Sequence, residues 1–296
     1  MSNKFSNSER AQILVEALPY IKEYNNKIVV VKYGGNAMTD EKLKEEVMQD
    51  IVLLSLIGVK IVLVHGGGPE IDKTMKKLGK KPTFIDGLRV TDKETMDIVQ
   101  MVLTGTVNKT LVNMLGAKGG KAIGISGMDG KLIVAKQKDE KLGYVGEITK
   151  INIEPVQNLL DNGFIPVIST IGCDEDGNAY NINGDTAAAY IAGALKASNL
   201  ILMTDIAGIL KDINDPSSLI DKLTVSEAQK LYQEGIVTKG MIPKVGCCIG
   251  AIGMGVEQVV IMDGTVEHSI LMEMLTNEGA GTMIIGDKKI DTKGHR

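Results

Sequence analysis

Two lysines and one aspartate, each close to glycine, carry the chemistry that this sequence offers. Lys32 opens Lys32-Tyr33-Gly34-Gly35, Asp185 closes Asn181-Ile182-Asn183-Gly184-Asp185, and Lys244 closes Gly240-Met241-Ile242-Pro243-Lys244. A fourth stretch, Gly66-Gly67-Gly68, adds backbone N–H groups that a polyanion can approach closely. Two ammonium groups can neutralise a phosphoryl group in transit, and an aspartate between them in sequence can hold both in place. Phosphoryl transfer asks mainly for positioning and charge stabilisation, so this inventory is chemically sufficient for it.

The elements around these residues predict where they stand. Short apolar runs at 28–31, 61–64, 165–168, 200–203 and 259–262 read as buried strands, and helical stretches begin near residue 40, at Pro69 and at Thr186. Apolar strands alternating with helices predict an α/β fold with a doubly wound, mainly parallel central sheet. Such sheets bind ligands at the carboxyl ends of their strands, where Lys32 and the glycines would lie. Asp129-Gly130, flanked by apolar runs at 122–126 and 132–135, and Asp176-Gly177 predict β-hairpin excursions at the sheet edge. Ser6 and Glu9 have capping-box spacing, and Ile13, Leu14, Ala17, Leu18 and Ile21 share one helical face. Residues 6–24 therefore read as an extra N-terminal helix, kinked or broken at Pro19. The expected division is an arm over 1–26, a first lobe over 27–196 and a second over 197–296.

Each motif taken alone also has a plainer reading. Lys32 beside a turn suits a surface lysine, and Arg89 in Gly87-Leu88-Arg89-Val90-Thr91 suits a solvated one, although a guanidinium also matches a carboxylate in a bidentate way. There is no GxxxxGK[ST] and no GxGxxG, which argues against a Walker loop and a nicotinamide-dinucleotide fingerprint. Asn181, Asn183 and Asp185 alternate, so an extended segment would turn all three the same way, while Asp185 also suits a helix N-cap. Lys244, just after Pro243 at a helix start, opposes the helix dipole unless an anion is present. Thr204-Asp205-Ile206-Ala207-Gly208 follows a strand as a further ligand-facing loop.

Bulk properties narrow the partners. With 33 basic and 37 acidic residues the net charge is −4, which argues against a general nucleic-acid binder. The apolar runs are too short to span a bilayer, and the N-terminus lacks a secretion core. Cys173, Cys247 and Cys248 include no CxxC pair, so neither a disulfide framework nor a zinc site is indicated, and a cytoplasmic location is expected. Only three histidines are present, which makes a histidine-rich metal site an unlikely use of them.

Taken together, the stretches resemble the acetylglutamate kinases of the amino acid kinase family over nearly the whole chain. The phrases that carry the resemblance lie at 31–38, 64–69, 87–91, 181–185 and 240–244. It implies that ATP, accompanied by Mg2+, phosphorylates the side-chain carboxylate of N-acetyl-L-glutamate on the arginine pathway. By the same resemblance, Lys32 and Lys244 stabilise the moving phosphoryl group and Asp185 orients both lysines. Gly67, Gly68, Arg89, Asn181 and Asn183 would bind the acetylated amino acid. Gly34, Gly35, Thr204, Asp205, Gly208, Leu210, Ile236 and Thr238 would surround the nucleotide, and no protein ligand is assigned to the metal. A carboxylate acceptor is already ionised at neutral pH and needs no general base, which suits a chain so poor in histidine.

The N-terminal helix, the phrase from His268 to Glu273 and Gly279-Ala280-Gly281-Thr282 resemble the arginine-inhibited branch of that family. The resemblance implies a homohexamer, a trimer of dimers with interlaced helices. Tyr20, His268, Glu273 and Gly279 would then hold L-arginine, with the Glu273 carboxylate on its guanidinium. Expected partners are small molecules, with no nucleic acid and no membrane. Competing readings are a family member acting on acetylaminoadipate, carbamate, glutamate or aspartate, and a non-catalytic arginine-sensing or dinucleotide-binding protein. The presence of Lys32, Asp185 and Lys244 together argues against the last.

Overall fold

The computed structural model describes residues 6–212, 214–237 and 240–287. Two helices, α1 (Asn7–Glu16) and α2 (Leu18–Tyr24), lead into β1 (Ile28–Tyr33), α3 (Glu41–Leu56), β2 (Lys60–His65) and α4 (Gly68–Lys77). A two-residue pair, β3 (Phe84–Ile85) and β4 (Leu88–Arg89), precedes α5 (Lys93–Gln100), a π-helical segment over Met101–Val107, and α6 (Asn108–Ala117). Then come β5 (Ala122–Ser126), β6 (Ile133–Gln137), β7 (Gly146–Ile151), α7 (Glu154–Asp161), β8 (Ile165–Ser169), β9 (Ile171–Cys173), β10 (Ala179–Asn181) and α8 (Gly184–Leu195). The chain continues through β11 (Asn199–Thr204), β12 (Lys222–Thr224), α9 (Val225–Gln233), α10 (Ile242–Gly253), β13 (Gln258–Asp263), α11 (Ser269–Leu275) and β14 (Gly281–Ile285).

One eight-stranded sheet organises these elements in the order β12-β14-β13-β11-β1-β2-β8-β5. All its pairs are parallel except β13 with β14, so the mainly parallel sheet expected from the sequence is present. The five apolar runs form β1, β2, β8, β11 and β13 because both sheet faces are covered. Val29, Val31 and Tyr33 enter one core with Leu63 and Ile201, while Val30 enters the other with Val62, Val64 and Leu200. A strand buried on both sides has no polar face, hence the unbroken apolar runs. From β1 the order runs toward β2 on one side and β11 on the other. That reversal opens a crevice at the carboxyl ends of these strands.

The Ser6–Glu9 capping box forms, and the N-terminal helix breaks into α1 and α2 at Ala17, with Pro19 in the first turn of α2. One expectation is corrected. The segments flanking Asp129-Gly130 do not form a hairpin: β5 joins the main sheet beside β8, whereas β6 pairs with β7 and β9 in a separate four-stranded sheet. The turn itself is real, with Gly130 at φ 58° and Asp129 accepting from the Ser126 backbone N–H at 2.6 Å. Asp176-Gly177 does join a hairpin, β9 with β10. Among the described residues no helix is long and apolar enough to cross a membrane.

Candidate active site

Register places the chemistry in one row. Lys32 lies opposite Val64 of β2 and Leu202 of β11, so the glycines after β1, the glycines after β2 and the loop after β11 leave the sheet side by side. Gly66 N–H donates to Tyr33 O at 3.2 Å and ties the first two loops together. Lys32 is buried, and its side chain curls back over Gly34, where a Cβ would lie 2.8 Å from Nζ. At Gly35 the backbone has φ +71°, and a Cβ would lie 2.3 Å from Asp205 Oδ1. Any larger residue there meets both backbone strain and the carboxylate of the β11 loop.

Asp185 sits in the first turn of α8, and its two oxygens face different lysines. Lys244 donates to Oδ2 at 2.9 Å, and Lys32 Nζ lies 2.9 Å from Oδ1. The Lys32 ammonium and the Asp185 carboxylate therefore form a close ion pair, with Lys32 on one oxygen and Lys244 on the other. Burial alone would raise the pKa of Asp185, yet the two ammonium groups override it and hold the carboxyl below its usual range. Lys244 enters from the first turn of α10, behind Pro243. Its unfavourable placement at a helix N-terminus is offset by Asp185, which spans both helices.

The helix start corrects one reading of the asparagines. Asn181 ends β10, while Asn183, rather than Asp185, is the N-cap of α8 and accepts from Thr186 N–H at 3.0 Å, which leaves Asp185 inside the helix. The alternation therefore does not aim three side chains in one direction. All the same, Asn181, Asn183 and Gly184 line one cavity of about 150 Å3 with Gly66, Gly67, Gly68 and Arg89. None of the three consecutive glycines lies in the left-handed region, Gly67 having φ 172°. Gly67 is demanded by packing, since its Cβ would lie 2.5 Å from Leu103 Cδ2 in the π-helical segment, while nothing stands within 4 Å of a Cβ on Gly66. Gly67 and Gly68 open α4, where backbone N–H groups have no intrahelical acceptor. Arg89 is held at the cavity wall by Asp72 at 2.5 Å and by Gly68 O at 3.4 Å, with Phe84 beneath its guanidinium at 4.8 Å.

On the other side of the lysines lies an apolar slot of about 130 Å3, lined by Ile206, Ala207, Gly208, Leu210, Ile236 and Met241 among others. Gly208 and Thr282 are in close approach there, since a Cβ on Gly208 would lie 2.4 Å from Thr282 Oγ1. Thr204 ends β11 and is buried. Thr238 lies outside the described residues. Next to the first cavity, sharing Leu88, Val145 and Asn183 with it, lies a cleft of about 480 Å3 that the sequence did not announce, walled by α8, α10 and β7, with Asp185 and Cys247 on its surface. Phe84, Leu103 and Thr170, further walls of the first cavity, were also missed, because single apolar or hydroxyl residues carry no motif.

Of the four residues expected around arginine, His268, Glu273 and Gly279 lie in or beside α11, and Tyr20 is on α2, which contacts α11. Tyr20 of α2 packs against the core beside it, and Gly279 has φ +63° in the loop that follows. Glu273 is buried, and its carboxylate accepts from Ala280 N–H at 2.7 Å. His268 precedes α11 and lies 2.6 Å from Asp50 of α3. The hydrogen bond with Asp50 raises the His268 pKa, while burial pushes Asp50 up to about 6.

Sequence comparison gives the family of this arrangement. The chain belongs to the amino acid kinase family, whose model matches residues 27–263. Within that family it is 54% identical over 282 residues to the acetylglutamate kinase of Clostridium beijerinckii, covering 94% of this chain and 99% of that one. It is 51% identical over 291 residues to the acetylglutamate kinase of Methanocaldococcus jannaschii, covering 94% and 97% of the two chains. Among solved structures, N-acetylglutamate synthase from Neisseria gonorrhoeae, complexed with coenzyme A and N-acetyl-glutamate, matches with TM-score 0.82 and 26% identity over 94% of this chain. The present chain spans 63% of that synthase, less than two thirds. Tyr20, His268, Glu273 and Gly279 all fall outside the matched family span.

Proposed function

We propose that this chain transfers the γ-phosphoryl group of ATP to the side-chain carboxylate of N-acetyl-L-glutamate, giving the acyl phosphate N-acetyl-L-glutamyl 5-phosphate on the route to arginine. The observation that carries this reading is the Lys32–Asp185–Lys244 bridge, with Asp185 directly after Gly184 of the glycine- and arginine-lined cavity. The acceptor oxygen attacks the γ-phosphorus, the bond to the β-bridging oxygen breaks, and ADP leaves. Both reactants are anions, so the barrier is largely repulsion, and two ammonium groups address it where charge accumulates. Lys32 and Lys244 act on the phosphoryl oxygens and Asp185 keeps the pair aligned. Arg89, Gly67, Gly68, Asn181 and Asn183 hold the acetylated amino acid.

The apolar slot fits a purine. Gly208, Leu210 and Ile236 line it, and Gly34, Gly35, Thr204 and Asp205 would face the phosphates. Mg2+ would be carried on the phosphate oxygens, its preferred hard ligands, and would neutralise part of their charge. The lobes, 27–196 for the amino acid and 197–296 for the nucleotide, meet at the paired strands β1 and β11. The expected location is cytoplasmic.

A panel of N-acetyl-L-glutamate, acetylaminoadipate, carbamate, L-glutamate and L-aspartate, assayed by ADP release, tests the substrate. Turnover on free glutamate but not on its acetylated form would exclude this reading. Arg89→Ala should raise KM for N-acetyl-L-glutamate by roughly 10- to 100-fold, the range set by a lost charge-assisted hydrogen bond, and leave kcat within a few fold. A kcat loss larger than the KM change would place Arg89 at the reacting group instead.

The same reading extends to regulation. Helix α1 exposes Ile13, Leu14 and Val15 by more than half of their surface, and Leu18 follows at the start of α2. That face suits an arm interlaced with other subunits in a hexamer, with L-arginine bound around Tyr20, His268, Glu273 and Gly279. Tyr24 is buried, so the arm is best cut before α2. Removing residues 1–16 should leave a folded enzyme, lower the particle mass from hexamer to dimer and weaken arginine inhibition. Light scattering coupled to chromatography checks the first effect, and unchanged mass rejects the arm.

A further inference from the structure

His65 ends β2 directly below the glycine loop and is completely buried, although neither the lysine bridge nor the cavity wall uses it. Its ring is held on both sides. Nδ1 lies 2.8 Å from Gly66 O, and Nε2 lies 3.0 Å from Asn108 Nδ2. Asn108 stands where the π-helical segment passes into α6; one N–H of its amide faces His65 Nε2, and the other is shared between Val167 O at 2.9 Å and Ile125 O at 3.3 Å. An amide nitrogen can only donate, so Nε2 must accept and the proton must sit on Nδ1, donated to Gly66 O. The ring is thereby fixed as the neutral Nδ1–H tautomer.

That bond fixes more than a carbonyl. The peptide between Gly66 and Gly67 is trans and planar, so its N–H points opposite to its C=O. Drawing Gly66 O toward the buried imidazole sends Gly67 N–H the other way. Gly66 N–H is held by Tyr33 O at 3.2 Å, and the carbonyl that follows it is held by His65 Nδ1 at 2.8 Å. Gly67 is pinned against Leu103 and Val107. We propose that His65, itself locked by Asn108, is a positioning residue that rotates the Gly66–Gly67 peptide so that Gly67 N–H is aimed at the acceptor carboxylate. This inference rests on the acetylglutamate reading of the cavity.

The test uses steady-state kinetics of the full chain with ATP and N-acetyl-L-glutamate, beside thermal melts. His65→Ala should lower kcat/KM for the acetylated amino acid by about 10- to 100-fold, somewhat less than the loss of an entire oxyanion donor, with KM for ATP unchanged. His65→Asn restores a donor near the Nδ1 position but loses the acceptor for Asn108. It should regain most of the kcat/KM while melting as low as the alanine variant. Asn108→Ser leaves the imidazole but frees its tautomer, and should raise KM for the acetylated substrate alone. Activity that simply follows melting temperature across the three variants would overturn the proposal, as would equal impairment of the Asn and Ala variants at position 65. Should His65→Ala fail to fold, the Asn108→Ser kinetics decide, and an unchanged KM there overturns it. Absence of wild-type turnover on N-acetyl-L-glutamate, in contrast, would overturn the substrate reading itself.

Discussion

Lys32→Ala is expected to lower kcat by about 10^3, with KM for ATP changed by no more than a few fold, because a donor aimed at transition-state charge is worth roughly 3–4 kcal/mol. Its ammonium is buried and held 2.9 Å from Asp185, so it is fixed in place before negative charge develops. In the proposed reading nucleotide affinity would come chiefly from the apolar slot around Ile206 and Met241. Lys32→Arg should not rescue activity. The lysine already lies so close to Gly34 that a Cβ there would sit 2.8 Å from Nζ, and a planar guanidinium is larger and forked. Initial rates across ATP concentrations, with melts to confirm folding, check both variants. A kcat near wild type would remove Lys32 from the chemistry.

Much of this arrangement was legible in the sequence, for reasons that can be stated. The strands β1, β2, β8, β11 and β13 were readable because burial on both faces leaves a continuous apolar run. The edge strand β12 was not, since three residues reading Lys222-Leu223-Thr224 carry no period. Asp129-Gly130 marked a real turn, but a turn reports only local backbone. It does not say that β5 will prefer the distant β8 to the nearby β6, which is decided by which faces need covering. The alternation of Asn181, Asn183 and Asp185 failed because Asn183 is a good cap, so the helix begins at Gly184 and ends the two-residue period there. Lys32, Asp185 and Lys244 were visible as residue types, and their expected association through the aspartate appears as two contacts of 2.9 Å. His65 and Asn108 were not visible as a pair, because nothing in 43 residues of separation signals that the π-helical segment will bring an amide beneath the glycine loop.

Asp185→Asn should be the most damaging single change in the bridge. Each carboxylate oxygen now faces one ammonium, and an amide keeps the shape while losing the charge that draws both cations together. Two lysines left around a neutral group repel each other and part, so kcat should fall by about 10^3 or more even though both cations remain. Breaking a buried ion pair by removing one partner also destabilises, here by about 3–5 kcal/mol at neutral pH. The pH dependence separates this from a general packing defect. The folded pKa of Asp185 lies below its ordinary value, so its contribution is present above about pH 3.9, the unfolded value, and is lost as pH falls toward the folded one. The stability gap between wild type and Asp185→Asn should therefore be constant near neutrality and close on acidification below about pH 4. Asp50 works in the opposite sense: with its pKa pushed up to about 6 by burial, it favours the fold at low pH and loses that contribution as pH rises. It is present in both proteins and cancels in the difference. Denaturant melts of the two from pH 7 to pH 3 measure that difference. A gap that persists unchanged to the acid end would mean that the carboxylate is not held ionised by the two lysines, and that the bridge does not order them.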